Sequence, residues 1–352
     1  MTSDHPDTDV PSCPNGIFNF SPGSVLVTDP DEELMELYMS LASVKEESQH
    51  ENFGKSSEGL GYLDSSQSVL ELLIDIEPPK DSSAVPEVVY GKGRRRKGTK
   101  KEGGKDSMVS IPVVLNQDLT ALRGRKGDTG SVLWRSSLHL ARHVLSHHLF
   151  RPQIPLLDID RLNSAHILEL GCGTGLLAIL LSQLCGQYTA SDQLDNLKLI
   201  QRNLELNDIP VSFSSSTPVS ESAVDKKGMG REVKKEVVLE EVDWVEVSKS
   251  QGRYRSPVDT KTYDLILAVD CIYNEHLIQP LIDTFAQYCQ PGSQTVVWVV
   301  VELRSADVIG TFLNTWIDDP SGPWTIVRLG EDDMGDWGEG RKPRWVGWVG
   351  WR

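Results

Sequence analysis

A turn carrying three glycines constrains this chain more than any other feature. Gly171, Gly173 and Gly175 spell G-x-G-x-G directly after the apolar run Ala165-His166-Ile167-Leu168-Glu169-Leu170 and directly before the apolar stretch Leu176–Leu184. The first run is short enough to read as a buried strand and the second reads as a helix. Strand, glycine turn and helix in that order open a parallel sheet covered by helices. Side chains at such a turn would strike a ligand lying against the backbone, which is why glycine is expected there.

The dinucleotide fingerprint G-x-G-x-x-G requires glycine at position 176, where this chain has Leu176. Keeping the close-approach turn while losing the pyrophosphate pattern points to a nucleoside ligand without a bridging phosphate. Asp192 lies roughly 20 residues beyond the first glycine, where an acidic side chain grips both ribose hydroxyls.

The same alternation continues along the chain. A helix is expected from Ser136 to Leu149, a second strand ending at Asp192, and a helix from Leu194 to Leu206. Strands are expected at Val237–Val242, Tyr263–Val269 and Thr295–Val301, and the Trp-rich stretch Arg344–Trp351 reads as a late strand with one buried face. Residues 210–235, rich in Ser, Lys and Gly, read as an insertion in a domain running from 129 to 352.

Ahead of that domain, residues 1–60 read as an acidic, partly disordered tail. One helix is expected inside it, with Asp29 as cap, Pro30 at the first helical position and Glu32 completing the start. Leu34, Leu37, Tyr38 and Leu41 would share one face, and docking of that face on the main domain is the preferred reading. Residues 61–128 read as a hairpin region: Leu70, Leu72, Ile74 and Ile76 share one strand face, and Val109, Ile111, Val113 and Leu115 another. Between them, the basic loop at 91–105 with Arg94, Arg95 and Arg96 is solvated surface, and as a functional element it would touch RNA weakly or act as a nuclear address.

Several elements together resemble a known family. Glu169–Gly175 is similar to the first motif of class I, seven-stranded methyltransferases. Thr129-Gly130-Ser131-Val132-Leu133-Trp134, Val242-Asp243-Trp244 and Asp270-Cys271-Ile272-Tyr273-Asn274 resemble the methyltransferase-like 21 group of protein lysine methyltransferases, family 16, with the last run closest to fungal, ribosome-directed members. The resemblance implies a Rossmann-like seven-stranded, mostly parallel sheet with helices on both faces, and S-adenosylmethionine as cofactor. It implies that Glu169, Gly171, Gly173 and Gly175 hold the methionine part, Asp192 the ribose, Asp243 and Trp244 the adenine, and that Trp134 and Val269 wall the pocket. Asp270 and Tyr273 would line the mouth as catalytic residues. The implied substrate is a lysine of a large-subunit ribosomal protein; another translation factor or a chaperone, or ribosome binding without catalysis, are the alternatives. A cytoplasmic monomer is implied as well.

Other classes are disfavoured. Amino-directed nucleic-acid methyltransferases resemble one another in an Asn/Asp-Pro-Pro-Tyr/Phe motif, and Asp270–Tyr273 contains no proline. A net charge of −16 argues against a protein that coats nucleic acid. No run of about 18 apolar residues suggests a membrane span, and the five scattered cysteines lack paired metal-ligand spacing. His139, His143 and His147 share a helix face but lack an acidic co-ligand, so a polar face is expected rather than a metal site. Glu331-Asp332-Asp333 reads as a solvated loop.

Overall fold

The computed structural model describes residues 10–47, 62–64, 66–79, 108–120, 129–214, 234–250, 262–334 and 345–352. The basic loop with Arg94, Arg95 and Arg96, and residues 215–233 of the expected insertion, lie outside them.

The central sheet follows from runs of residues apolar on both faces. Strands β4 (His166–Leu170), β5 (Gln187–Asp192), β7 (Val237–Glu241), β8 (Leu265–Val269) and β9 (Val296–Glu302) are parallel, and all five residues of β8 are buried. Such two-sided burial is what helices on both faces of a parallel sheet require. The flanking helices are α2 (Arg135–Phe150), α3 (Ile159–Ser164), α4 (Leu176–Leu181), α5 (Leu194–Leu206), α6 (Trp244–Lys249), α7 (Glu275–Tyr288) and α8 (Ala306–Ile317). Alternate residues separate into two cores: Leu265, Leu267, Val296, Trp298 and Val300 face one, while Ile266, Ala268, Val297, Val299 and Val301 face the other.

The sheet is wider than the seven strands expected. Its order is β1-β10-β11-β9-β8-β4-β5-β7-β6, nine strands, with β1 (Val25–Leu26), β6 (Val211–Phe213), β10 (Thr325–Arg328) and β11 (Trp345–Trp351) added to those above. Three of the nine were not expected from the sequence: β10 and the two edges, β1 and β6. β6 pairs in parallel with β7 at the start of the expected insertion, and β1 pairs antiparallel with β10 from within the acidic segment. Two or three residues carry no readable periodicity. β11 also departs from expectation, because Val346, Gly347, Trp348, Val349 and Gly350 are all buried. Its glycines make room: a Cβ on Gly350 would stand 2.4 Å from the Trp316 ring, and one on Gly347 2.6 Å from Met334 Sδ.

The described part of the acidic segment is built into the fold. Helix α1 (Pro30–Glu47) starts where Asp29 Oδ1 accepts from the N–H groups of Asp31 and Glu32, at 2.8 and 3.1 Å. Leu34, Leu37, Tyr38 and Leu41 pack on the second core, beside α8. Buried Glu33 anchors the helix, accepting from Trp348 Nε1 at 2.7 Å and pairing with Arg328 at 2.9 Å. Glu33→Ala would leave the Trp348 donor buried without a partner, so a loss of about 2 kcal/mol is expected in denaturant unfolding. A stability within a few tenths of the parent would show that the helix is not anchored there.

The hairpin forms as the alternation requires. β2 (Val69–Ile76) pairs antiparallel with β3 (Val109–Asn116), placing Leu70 opposite Leu115 and Ile74 opposite Ile111. Two asparagines one turn apart, Asn203 on α5 and Asn207 at its C-terminal cap, then satisfy the outer edge of β3. Asn203 Oδ1 and Nδ2 bond the N–H and C=O of Asn116 at 2.7 and 3.0 Å, and Asn207 does the same for Val114 at 3.1 and 2.7 Å. Each amide mimics a strand residue and blocks an open edge. The run Glu331–Asp333, expected as a solvated loop, is instead part of a short helix, α9 (Glu331–Met334). Asp333 is buried there and accepts from Ser24 Oγ at 2.8 Å and from the N–H groups of Ser21 and Gly330.

Candidate active site

Strand order places the site. From β4 the sheet continues to β5 on one side and to β8 on the other, so a crevice opens beyond the carboxyl ends of these strands. A cavity of about 360 Å³ occupies it, within the size range of small-molecule sites.

The glycine loop forms the floor. Gly171, Gly173 and Gly175 have φ of 66°, 59° and 82°, conformations that side chains rarely adopt. The protein itself also requires glycine here. A Cβ on Gly173 would stand 3.0 Å from the carbonyl oxygen of Gly130, and one on Gly171 3.0 Å from Cys271 Sγ and 3.2 Å from the Trp244 ring. The Gly130 backbone thus lies across the loop, while Gly175 packs on Ile200. Gly171 and Gly173 border the cavity; Gly175 and Glu169 are not among its walls.

Glu169 is 3% exposed and accepts from Tyr188 Oη at 2.8 Å. Burial raises its pKa to about 7 against an ordinary value near 4.5, overriding the hydrogen bonds from Tyr188 and Cys172 that favour the anion. Asp192, at the end of β5, keeps its carboxylate facing the loop. Oδ2 accepts from Gly173 N at 2.8 Å, and Oδ1 from Gln193 N at 2.8 Å and Asn196 Nδ2 at 2.9 Å. Asn196 escaped the sequence reading, although its place four residues after Asp192 puts it one helical turn away.

The remaining expected residues converge on the same cavity. Trp244 and Asp243 border it at the start of α6, where Asp243 Oδ1 caps the helix, accepting from Val245 N at 2.9 Å and Glu246 N at 3.3 Å. Val269, the last residue of β8, and Asp270 and Tyr273 just beyond it border it too. Trp134 lies at the lip, its Nε1 donating to Thr129 O at 2.8 Å and its ring 4.6 Å from that of Tyr62. Asp270 is not a bare carboxylate: Arg304 grips it with two bonds of 2.7 and 2.6 Å, and Ser136 Oγ donates at 2.9 Å. Neither partner was singled out in the sequence. The only signal for Arg304 was a charged pair, Glu302 and Arg304, directly after a buried strand.

Cys172 and Cys271 also border the cavity, and burial above all else, followed by nearby carboxylates, drives both thiols far above their ordinary range. They stay protonated and are not nucleophiles. Elsewhere, the rings of His143 and His147 lie 4.3 Å apart at a tilt of 53°, and burial followed by the neighbouring His147 lowers the His143 pKa to about 3. Among the described residues no group of three metal-ligating side chains gathers, and no helix is long and apolar enough to cross a membrane.

The residues present fit S-adenosylmethionine. The buried carboxylate of Asp192 lies beside a loop with glycine at 171 and 173, the Trp244 ring borders the same space, and the volume suits a nucleoside with an amino-acid arm.

Comparison with known proteins gives the same direction. Residues 114–315 match the family model described as lysine methyltransferase. A Schizosaccharomyces pombe protein named diaminohydroxyphosphoribosylamino-pyrimidine deaminase is 30% identical over 205 residues, 57% of this chain but only 41% of that protein. The chain therefore spans about two-fifths of that relative. Ribosomal lysine N-methyltransferase 5 of Kluyveromyces lactis is 26% identical over 80% of this chain and 88% of its own length. Its Candida glabrata counterpart is 29% identical over 72% and 82%. These are the fungal, ribosome-directed relatives to which Asp270–Asn274 pointed. With more than half of its length matched, and the crevice lying within the matched region, the chain belongs to the lysine methyltransferase family.

Proposed function

We propose that the protein is an S-adenosylmethionine-dependent protein-lysine N-methyltransferase acting on a ribosomal protein, with a large-subunit protein as the expected target. The observation that carries this reading is the meeting of the Asp270–Tyr273 turn, Trp134 and the glycine loop around one cavity. The relatives named for ribosomal lysine methylation supply the substrate class.

In this reading Gly171 and Gly173 leave room for the methionine arm, Asp192 accepts from the ribose hydroxyls, and Trp244 with Asp243 flanks the adenine. Glu169 and Gly175 act from behind, shaping the loop. When bound, the cofactor would supply a methyl group on a sulfonium, already activated for transfer to a neutral lysine nitrogen. The chain's own task is alignment and exclusion of water. Trp134 and Tyr273 at the lip desolvate the incoming amine, whose ordinary pKa of about 10.4 must fall before it can attack. Asp270 and Tyr273 position it.

A protein of net charge −16 needs a local positive patch to approach ribosomal RNA. The run with Arg94, Arg95 and Arg96 is the candidate for that contact, in a cytoplasmic enzyme working as a monomer.

The test incubates the purified protein and labelled S-adenosylmethionine with yeast ribosomes lacking their own lysine methylation. Label in lysine of a single large-subunit protein is the expected outcome. Label in RNA, or none in any ribosomal protein, would sink the proposal.

A further inference from the structure

Asp270 holds a left-handed backbone conformation, φ 58°, in the turn that leaves β8. Non-glycine residues occupy that region only when their surroundings hold them there. Three groups do so: Val300 O accepts from Asp270 N at 2.7 Å, Arg304 grips both carboxylate oxygens, and Ser136 donates from α2. The Asp270 side chain is 2% exposed and that of Arg304 28%. The guanidinium also lies over the Trp134 ring, 4.9 Å from its centroid. Asp270 and Trp134 border the cavity, and Arg304 stands behind both.

This arrangement answers a difficulty in the chemistry. A carboxylate beside an amine stabilises the ammonium form, which has no lone pair with which to attack. A carboxylate engaged two-fold by a guanidinium no longer does so, because the pair is locally neutral. We propose that Arg304 is a positioning residue for methyl transfer: it neutralises Asp270 and fixes its turn, so that Asp270 shapes the opening without trapping the target lysine as a cation. The inference rests on the lysine methyl-transfer reading above.

Other charged or titratable groups face the same space. Asp192 comes from β5, Asp195 from α5 and Asp243 from the cap of α6, while Cys271 and Tyr273 belong to the Asp270 turn. Tyr62 lies against Trp134. Glu302, at the end of β9, shares Arg304 Nη2 at 2.8 Å and is 18% exposed, so water screens its charge in part. Asp192 is occupied by Gly173, Gln193 and Asn196. Asp270 is thus the acidic group whose compensation depends on Arg304.

The experiment measures kcat against pH with labelled S-adenosylmethionine and yeast ribosomes lacking their own lysine methylation, alongside S-adenosylhomocysteine binding by calorimetry. The acid limb of kcat reports the amine within the complex. Arg304→Gln should move that limb upward by about one pH unit and lower kcat near neutrality about tenfold, with S-adenosylhomocysteine affinity unchanged. Asp270→Asn, which tolerates the left-handed backbone and leaves Arg304 paired only with the partly screened Glu302, should move it downward. The double variant D270N/R304Q should bring the limb back toward the parent, and Arg304→Lys should leave the limb in place while slowing transfer, because an ammonium cannot match the two-pronged grip. Should Arg304→Gln not fold, the downward shift in Asp270→Asn and the fixed limb in Arg304→Lys still decide the matter. A limb that stays put in the single neutral variants, or moves the same way in both, would overturn the proposal and leave Arg304 a structural residue. Failure of the parent protein to label any lysine would instead overturn the functional reading on which it rests.

Discussion

Asp192→Ala is expected to lower S-adenosylmethionine affinity by at least a hundredfold in isothermal calorimetry. Two losses combine. The proposed ribose contact disappears, and hydrogen bonds to a charged acceptor contribute roughly 1.5–3 kcal/mol each. The loop then loses its organiser, since Oδ2 holds the N–H of Gly173 at 2.8 Å and Oδ1 holds Gln193 and Asn196. Asp192→Asn separates these effects only in part. Whichever way its amide turns, an NH2 group replaces one of two acceptors and faces an N–H donor from Gly173, or from Gln193 and Asn196. Intermediate affinity is therefore expected for Asn and near-complete loss for Ala. Near-parental affinity in the Ala variant would remove Asp192 from the site. A matching collapse in unfolding temperature would show that the loop, rather than the ribose, is what it serves.

Much of this site was legible in the sequence because the chain writes it locally. Strand, glycines and helix fall within a dozen residues, and Asp192 follows one crossover later, so parallel-sheet geometry alone brings them together. The hairpin was equally readable, because each strand runs long enough for a period of two to emerge. Elements that rest on distant contacts were not readable. Arg304 meets Asp270 across 34 residues, from the segment that follows a different strand, and nothing near either position announces the pair. Edge strands β1 and β6 are too short for any pattern, and the partner rather than the segment makes them strands. The buried run of β11 looked one-sided because its glycines conceal the close approach of Trp316 and Met334. Ligand clearance explains the glycine loop only in part: Gly130, Cys271 and Trp244 press on Gly171 and Gly173, so these two positions must stay without side chains even before any ligand enters.

Glu169→Gln is expected to stabilise the cofactor-free protein by about 3 kcal/mol at pH 8 and to flatten its stability above pH 5. The folded protein holds the Glu169 proton until about pH 7, whereas an ordinary carboxyl near 4.5 has released it. Between those values the folded state binds more protons than the unfolded chain, so stability falls as pH rises. Below about 4.5 the group is neutral in both states and no ionisation cost arises. Above about 7 the full cost is present, and a displacement from 4.5 to about 7 corresponds to roughly 3 kcal/mol at about 1.4 kcal/mol per pH unit. Gln keeps an acceptor for Tyr188 Oη and removes the charge. Chemical denaturation at pH 5, 6, 7 and 8 reads the effect directly: the parent should lose stability relative to the variant across this range, most steeply between 5 and 7. Parallel curves would mean that Glu169 is ionised in the folded protein at little cost, with a counter-charge supplied from the loop. If the flattening is seen and S-adenosylhomocysteine affinity also survives the substitution, Glu169 supports the loop from behind; if affinity falls steeply, it belongs with the residues that meet the cofactor.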